Sequence, residues 1–316
     1  MSSSGVIFMN NKPELLVTAK NVDEVNQVIA AGADAVYIGH QQYGLRVAGD
    51  FELPQIEEAV HIAHSKGAKV YVAVNALFHN DRLHGLPDYL KALEQIGVDG
   101  IVFGDPAVLM TVKEIGSSLP LHWNTETTST NYETVRYWAK KGVTRAIVAR
   151  ELSLDNVLAI KAQTGIDIQA QIHGMTCIFQ SARKLVRNYF NHIDEDAPTS
   201  REAGLYLKQK KDENTHYPVY EDINGTHIMS NEDICMLEHI PALIDGQIDS
   251  LKIEGLLKTT EYLVRVTRIY RRAIDMYCEE SASFQANVPA WLSELQDIQP
   301  PERRLGTGFY FKEQIY

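Results

Sequence analysis

The chain has 316 residues, of which 45% are hydrophobic and 22% are charged, and its formal net charge is −11 at pH 7. This length and composition predict a soluble globular protein with one barrel-sized domain and room for an insertion or appendage. The acidic balance argues against binding of nucleic acid by the molecule as a whole, because its long-range field would repel a polyanion.

The start of the chain, MSSSGVIFMNNKPE, lacks a charged region followed by an apolar one, so it does not resemble a secretory signal. No apolar run approaches the roughly 20 residues that are needed to span a bilayer. We therefore expect a cytoplasmic protein with no membrane association, in which the three cysteines stay reduced.

Short β-rich runs alternate with amphipathic stretches that close on a glycine. The runs read ELLVTA, AVYIG, KVYVAVN, GIVFG, LHWNTE, RAIVAR and DIQAQIHG between residues 14 and 175, and an eighth, SLKIEG, covers residues 250–255. Between them lie patterns such as LPDYLKALEQIG, with apolar residues at helical spacing. Eight such units predict an α/β fold, a TIM-type (β/α)8 barrel, and no G-x-G-x-x-G follows the first strand to favour a dinucleotide-binding sheet.

The barrel is predicted to span residues 1–279. Residues 176–249, which precede the eighth strand, are too many for a plain connection and predict an inserted subdomain over the barrel mouth. Residues 280–316 form a short C-terminal extension that contains GTGFYF.

Strand alternation predicts which side chains face the barrel interior, because residues two apart share a face. In DIQAQIHG, the apolar Ile168, Ala170 and Ile172 would face the helices, and Gln169, Gln171 and His173 would face inward. The same rule turns Tyr71 of KVYVAVN inward and its valines outward, and it turns Lys252 and Glu254 of SLKIEG inward.

Active sites in this fold lie at the C-terminal ends of the strands. We therefore predict catalytic roles for Lys252, Glu254 and His173, and a substrate-binding set made of Tyr37, Asn75, Asn124, Glu126, Arg150 and Glu151. The alternative is that these polar groups only satisfy one another through ion pairs and hydrogen bonds.

The segment 167–190, DIQAQIHGMTCIFQSARKLVRNYF, resembles the signature of the peptidase U32 family. His173, Gly174, Cys177, Ser181, Arg183, Asn188, Tyr189 and Phe190 match that signature. The resemblance extends through PELLVTA, GADAVYIG, KVYVAVN, VARELSL, DSLKIEG and GTGFYF, and so covers nearly the whole chain. Departures cluster at the predicted mouth, where Gln169 replaces a Glu of the family and Leu256 replaces an Arg.

In the family that this signature resembles, four thiolates of this region hold an iron–sulfur cluster. Here Lys184 stands at the second cysteine position, a later pair is absent, and Cys235 and Cys278 have no C-x-x-C spacing. The sequence predicts no metal or cofactor in this chain. The cluster is then expected only in a partner.

Cys177 leaves two other interpretations open. It could act as a nucleophile with His173 as its base, or it could bind a metal ion with His173 and His192, although this spacing matches no strong zinc pattern. No G-x-S-x-G elbow supports a serine hydrolase.

Members of the family with complete cysteine sets resemble proteins that hydroxylate the wobble uridine of tRNA at carbon 5, with prephenate as a required metabolite. In some Gram-positive bacteria a short, cysteine-poor member and a longer one act in the same pathway. The resemblance implies that this chain is the short member and that it forms a hetero-oligomer with the longer U32 paralogue. It also implies that this complex acts on tRNA and binds prephenate or a similar small carboxylate. A collagenase-like peptidase and a non-catalytic barrel that binds a small carboxylate are the alternatives.

Overall fold

The computed structural model describes residues 12–124 and 130–312, apart from the side chains of residues 212–214. The described strands are, in chain order, β1 (Glu14–Thr18), β2 (Ala35–Gly39), β3 (Lys69–Val74), β4 (Gly100–Phe103), β5 (Leu121–Asn124), β6 (Arg145–Ile147), β7 (Asp167–Gly174), β8 (Cys177–Ser181), β9 (Tyr206–Gln209), β10 (Asp212–Asp222), β11 (Gly225–Met229), β12 (Glu232–Cys235), β13 (Ser250–Ile253) and β14 (Arg304–Gly306). Strands β1 to β7 pair in parallel, and β13 pairs in parallel with both β7 and β1. The sheet is thereby closed, which confirms the predicted TIM-type barrel.

Helices alternate with the strands along most of the chain. Their bounds are α1 (Val22–Ala30), α2 (Leu53–Ser65), α3 (Asn80–Leu83), α4 (Leu86–Ile96), α5 (Pro106–Glu114), α6 (Tyr132–Ala139), α7 (Leu154–Gln163), α8 (Leu185–His192), α9 (Ile240–Asp245), α10 (Thr260–Glu279) and α11 (Ser281–Ile298). Local signals set the helix ends: Asn21 caps α1 through its side chain, and Gly97 ends α4 with a φ of 83°, which favours glycine. None of the described helices is long and apolar enough to cross a membrane.

The barrel wall separates two apolar layers. Val70, Val72 and Val74 of β3 pack outward into the large core between strands and helices. Tyr37 and Tyr71 belong to a smaller cluster inside the barrel. The period-two alternation of β3 therefore sorts its side chains as the sequence predicted.

An ion-pair network fills the N-terminal end of the barrel. The Glu14 carboxylate accepts hydrogen bonds from Arg145 at 2.6 Å, from the Tyr71 hydroxyl at 2.7 Å and from Ser250 at 2.9 Å. Arg145 is 4% exposed, and Nη2 also lies 3.2 Å from the Asp167 carboxylate. Because these charges satisfy one another, this end of the barrel forms a polar plug.

A four-stranded antiparallel sheet, with the order β8–β11–β10–β9, interrupts the barrel after β7. It rests on the loop that follows β2: Asn224 donates to the Gln41 carbonyl at 3.0 Å, and Arg201 donates to the Val47 carbonyl at 2.6 Å. This inserted sheet therefore lies at the C-terminal end of the barrel strands.

The C-terminal segment is tied back to the barrel through β12. Strand β12 pairs antiparallel with β7 and parallel with β14. The fully buried Asp233 of β12 accepts from Arg303 at 2.7 Å and from Lys258 at 2.5 Å. Although burial raises the pKa of Asp233, these two cations hold it well below its usual value.

Candidate active site at the barrel mouth

Lys252 of β13 and Glu254, which directly follows this strand, form an ion pair at the barrel mouth. Lys252 Nζ lies 2.9 Å from Glu254 Oε2 and 4.6 Å from the centroid of the Tyr37 ring. Glu254 Oε1 accepts a hydrogen bond from the backbone N–H of Leu256 at 3.1 Å. The two charged side chains are 13% and 11% exposed, so each remains largely shielded from water. An ammonium has three N–H donors, so Lys252 keeps donor capacity beyond its bond to Glu254.

A narrow cleft of about 20 Å³ surrounds this pair, which is room for a single water. Its lining consists of Tyr37, Leu45, Arg46, Asn75, Arg150, Met175, Met229, Lys252, Glu254 and Leu256. The fold thus brings together five of the residues that the sequence assigned to the site, from β2 and β13 and from the segments that directly follow β3, β6 and β13.

Arg46 is a cation of this cleft that the sequence reasoning missed. It belongs to the loop after β2, with a φ of 53° that is uncommon for a residue with a side chain, and its Nη1 donates to Gln180 Oε1 at 2.7 Å. Asn75 Oδ1 accepts from the N–H of Leu45 at 2.8 Å and so helps to fix this loop. The sequence did contain one signal for Arg46: it follows the C-terminal end of a barrel strand, where functional loops of this fold lie.

An outer cavity of about 340 Å³ shares Arg46 and Arg150 with the cleft. Its other lining residues are Glu151, Thr176, Cys177, Ile178, Phe179, Gln180 and Phe309. Glu151 therefore lies near the rest of the predicted set, but in the outer cavity. The cleft and the cavity together are lined by three cations, Arg46, Arg150 and Lys252, and by two carboxylates, Glu254 and Glu151.

The other wall of the cleft is apolar. Met175, Met229 and Leu256 pack with Tyr220 in one buried cluster, and Leu256 is 1% exposed. Leu256, at the family's arginine position, thus contributes hydrocarbon surface. The cleft therefore has a charged side and an apolar wall, a mixture that is usual in ligand sites.

The prediction that His173 faces the barrel interior is wrong. Its ring is fully buried behind the barrel wall, where Nε2 lies 2.8 Å from the Tyr262 hydroxyl and Nδ1 lies 3.3 Å from the Tyr270 hydroxyl, both on α10. A bulge in the pairing of β7 with β13 is the cause: Lys252 aligns with Gln171, but Ile253 aligns with His173. The extra residue turns His173 to the outward face.

This position also separates His173 from Cys177. The histidine contacts α10, whereas Cys177 belongs to the inserted sheet and lines the outer cavity. The structure therefore assembles neither of the two alternatives left open for Cys177, the pair with His173 and the metal site with His173 and His192. In the parts of the chain that the structure describes, no group of three or more His, Cys, Asp or Glu side chains could hold a metal ion.

One of the predicted residues lies outside both the cleft and the outer cavity. Asn124 ends β5 and is buried, 8% exposed, and it does not line the cleft or the outer cavity. Glu126 lies outside the described residues.

The cysteines do not fit an iron–sulfur cluster. Cys177 lies on β8, Cys235 on β12 and Cys278 on α10, and each is a free thiol. Cys235 is buried and accepts a hydrogen bond from the Tyr270 hydroxyl at 3.6 Å. A cluster needs about four thiolates around one centre, which three cysteines on separate elements do not supply.

Comparison with known proteins places the chain in a family. A model described as peptidase family U32 matches residues 20–315. The chain is 48% identical over 308 residues to tRNA hydroxylation protein P2 of Bacillus subtilis (strain 168), covering 96% of this chain and 99% of that protein. It is 34% identical over 321 residues to tRNA hydroxylation protein P1 of the same organism, covering 99% of this chain and 75% of that protein.

Among solved structures, the U32 peptidase Mk0906 has a similar fold, with a TM-score of 0.50 at 14% identity, covering 77% of this chain and 92% of that one. The fold, the motifs and the family match agree along nearly the whole chain. The resemblance predicted from the sequence is thereby confirmed, and the chain belongs to peptidase family U32.

Proposed function

We propose that this protein is a subunit of a system that hydroxylates the wobble uridine of tRNA at carbon 5. The observation that carries the proposal is the near full-length similarity, at 48% identity, to a protein named for tRNA hydroxylation. A longer protein with a related name occurs in the same organism as that relative. We expect a longer U32 paralogue of this second kind to be the partner and to carry the iron–sulfur cluster.

The barrel mouth is proposed to bind prephenate or a similar small carboxylate. Arg46 and Arg150 offer cations for the carboxylate, and Ile178, Phe179 and Phe309 of the outer cavity offer apolar surface for the hydrocarbon part. The inner cleft holds little more than a water, whereas the outer cavity of about 340 Å³ falls within the range usual for ligand pockets. We therefore place the body of the molecule in the outer cavity, with its carboxylate against the two arginines.

Contact with tRNA is proposed to depend on the complex. The net charge of −11 disfavours independent binding of a polyanion. One local arginine cluster lines a groove on α10, but Arg271 pairs with Asp34 at 2.9 Å and Arg272 pairs with Glu294 at 2.5 Å. Acidic neighbours thus offset part of this positive charge, and the partner is expected to supply the main RNA surface.

The test is deletion of the gene, followed by mass spectrometry of total tRNA for 5-hydroxyuridine and its derivatives. Loss or strong reduction of the modification, restored by the wild-type gene, is the expected result. Unchanged modification, with the longer paralogue also intact, would remove the proposal.

A second measurement tests the assignment of the cluster. The purified chain is expected to stay colourless after anaerobic reconstitution with iron and sulfide, because its cysteines cannot gather around one centre. The co-purified complex with the longer paralogue is expected to show the cluster's absorbance. A stoichiometric cluster on this chain alone would contradict the division of labour between the two subunits.

A further inference from the structure

Asp222, His227 and Cys177 of the inserted sheet lie next to one another, and Cys177 lines the outer cavity. The β10–β11 hairpin sets His227 opposite Tyr220, and their rings stack with centroids 4.9 Å apart. His227 Nε2 lies 2.9 Å from Asp222 Oδ1. Because Nε2 is engaged by the carboxylate, the interaction of this imidazole with the Cys177 thiol falls to Nδ1.

The contact between His227 and Cys177 is looser than the one between His227 and Asp222. Nδ1 is buried and makes no hydrogen bond of ordinary geometry to a described residue, and the thiol donates to the Phe179 carbonyl at 3.2 Å. The thiol proton thus has a carbonyl and a buried imidazole as alternative acceptors. Only the imidazole can take the proton away from sulfur.

The charges around Cys177 favour that transfer. Burial raises the pKa of the Cys177 thiol, but its interaction with the neighbouring His227 imidazole and the positive charges of Arg46 and Arg150 outweigh it, so the pKa lies below its usual value. Burial lowers the pKa of His227, but its hydrogen bond to Asp222 and its interaction with the Cys177 thiol raise it overall. A thiolate beside an imidazolium is the reactive state of a cysteine nucleophile.

We propose that Cys177, His227 and Asp222 form a nucleophilic thiol site for small anionic electrophiles, which bind against Arg46 and Arg150 in the outer cavity. Cys177 is partly exposed and lines this cavity together with both arginines. Asp222 orients the imidazole and stabilises its positive charge. The site shares its cavity with the proposed carboxylate site, but the reaction of Cys177 does not depend on tRNA hydroxylation.

The reaction can be written with its atoms balanced. The thiol proton moves to His227, and Sγ forms a bond to the electrophilic carbon. With an alkyl halide, the halide leaves with the bonding electron pair. With a conjugated alkene, the electron pair moves to the adjacent carbon, which takes the proton back from His227.

The first experiment measures alkylation of the unmodified, full-length protein by iodoacetamide and by iodoacetate across pH 5.5 to 9, with each cysteine followed by peptide mass spectrometry. Cys235 and Cys278 are internal controls, since burial raises the pKa of both thiols. At pH 6 we expect Cys177 to react at least about tenfold faster than Cys278, because each pKa unit changes the thiolate fraction about tenfold. Equal rates for Cys177 and Cys278 at that pH would overturn the proposal.

Two variants test the roles of the neighbours. His227→Asn removes the proton acceptor, and its iodoacetamide rate at pH 6 should fall about tenfold towards that of an ordinary thiol. Arg150→Met should lower the preference of Cys177 for iodoacetate over iodoacetamide. If His227→Asn reacts like the wild type, the histidine has no part in activation and the proposal fails.

Folding of each variant is checked by circular dichroism and by the unchanged protection of Cys235. Should His227→Asn fail to fold, Asp222→Asn serves in its place, with the same expected direction. The comparison of three thiols within the wild-type molecule decides the proposal even without a folded variant.

Discussion

Asn75 Oδ1 accepts a hydrogen bond from the backbone N–H of Leu45 at 2.8 Å, so a residue at the end of one barrel strand fixes the loop that follows its neighbour. The loop carries Arg46, which lies next to Leu45 in the left-handed backbone region. This bond is one reason why an arginine far from Lys252 in sequence lines the same cleft.

Replacing Asn75 with alanine should destabilise the protein by about 1–3 kcal/mol, because the buried N–H of Leu45 would lose its acceptor. Asn75→Asp keeps an acceptor oxygen and should cost less. Urea unfolding measures the loss, and hydrogen exchange of the loop after β2 shows whether it is local. Equal protection of the Leu45 amide in the alanine variant and the wild type would contradict this role.

Lys252→Met and Glu254→Gln should each reduce tRNA hydroxylation at least about tenfold if the pair binds or orients a ligand, since either change leaves a buried charge without its partner. Complementation of the deletion strain, with mass spectrometry of tRNA, measures the effect. The matched control is Lys208→Met, on the exposed strand β9, which should complement fully.

The double variant Lys252→Met/Glu254→Gln distinguishes a ligand site from a structural ion pair. Removing both charges should restore the midpoint of thermal unfolding towards the wild-type value, because no unpaired buried charge remains. Modification should stay low. Full complementation by the double variant would show that the pair serves stability alone.

The plug at the N-terminal end of the barrel should matter for stability. Arg145→Met leaves Glu14, whose side chain is 11% exposed, without its main cation and should cost about 3–5 kcal/mol in urea unfolding. Glu133→Gln is the control, because its pair with Arg136 is solvent-exposed and should be worth less than about 1 kcal/mol. Similar losses in the free energy of unfolding for both variants would show that the buried network stabilises the fold no more than a surface ion pair does.

Acid should weaken the fold below pH 6.5. Burial lowers the pKa of His122 and of His173 to about 3, so both stay neutral in the folded state while the unfolded chain takes up protons. Stability is therefore full above the unfolded pKa of about 6.5 and falls as the pH drops towards 3, by up to about 1.4 kcal/mol per pH unit for each histidine.

Urea unfolding between pH 4.5 and 7.5 tests this slope. In His173→Gln, one of the two titrating groups is removed, and the dependence on pH should be shallower than in the wild type. A flat profile for the wild type across this range would show that neither histidine is held neutral by burial.

The sequence by itself determined the barrel, because hydrophobic periodicity is local and repeats in every unit. Alternation in β3 and in the β13 segment also placed Tyr71, Lys252 and Glu254 on the inner face, since side chains of a regular strand point to opposite sides in turn. The U32 family was visible for the same reason: its motifs are contiguous stretches of the chain.

Tertiary structure alone decided where that alternation fails and which distant residues meet. A single bulge in β7 turns His173 away from the barrel interior and onto α10. The sequence DIQAQIHG does not predict this bulge, because it depends on how β7 pairs with β13. Arg46 reaches the cleft through a left-handed backbone angle, and His227 reaches Cys177 through the pairing of the inserted strands. Such contacts join residues far apart in sequence, so they are set by packing rather than by local pattern.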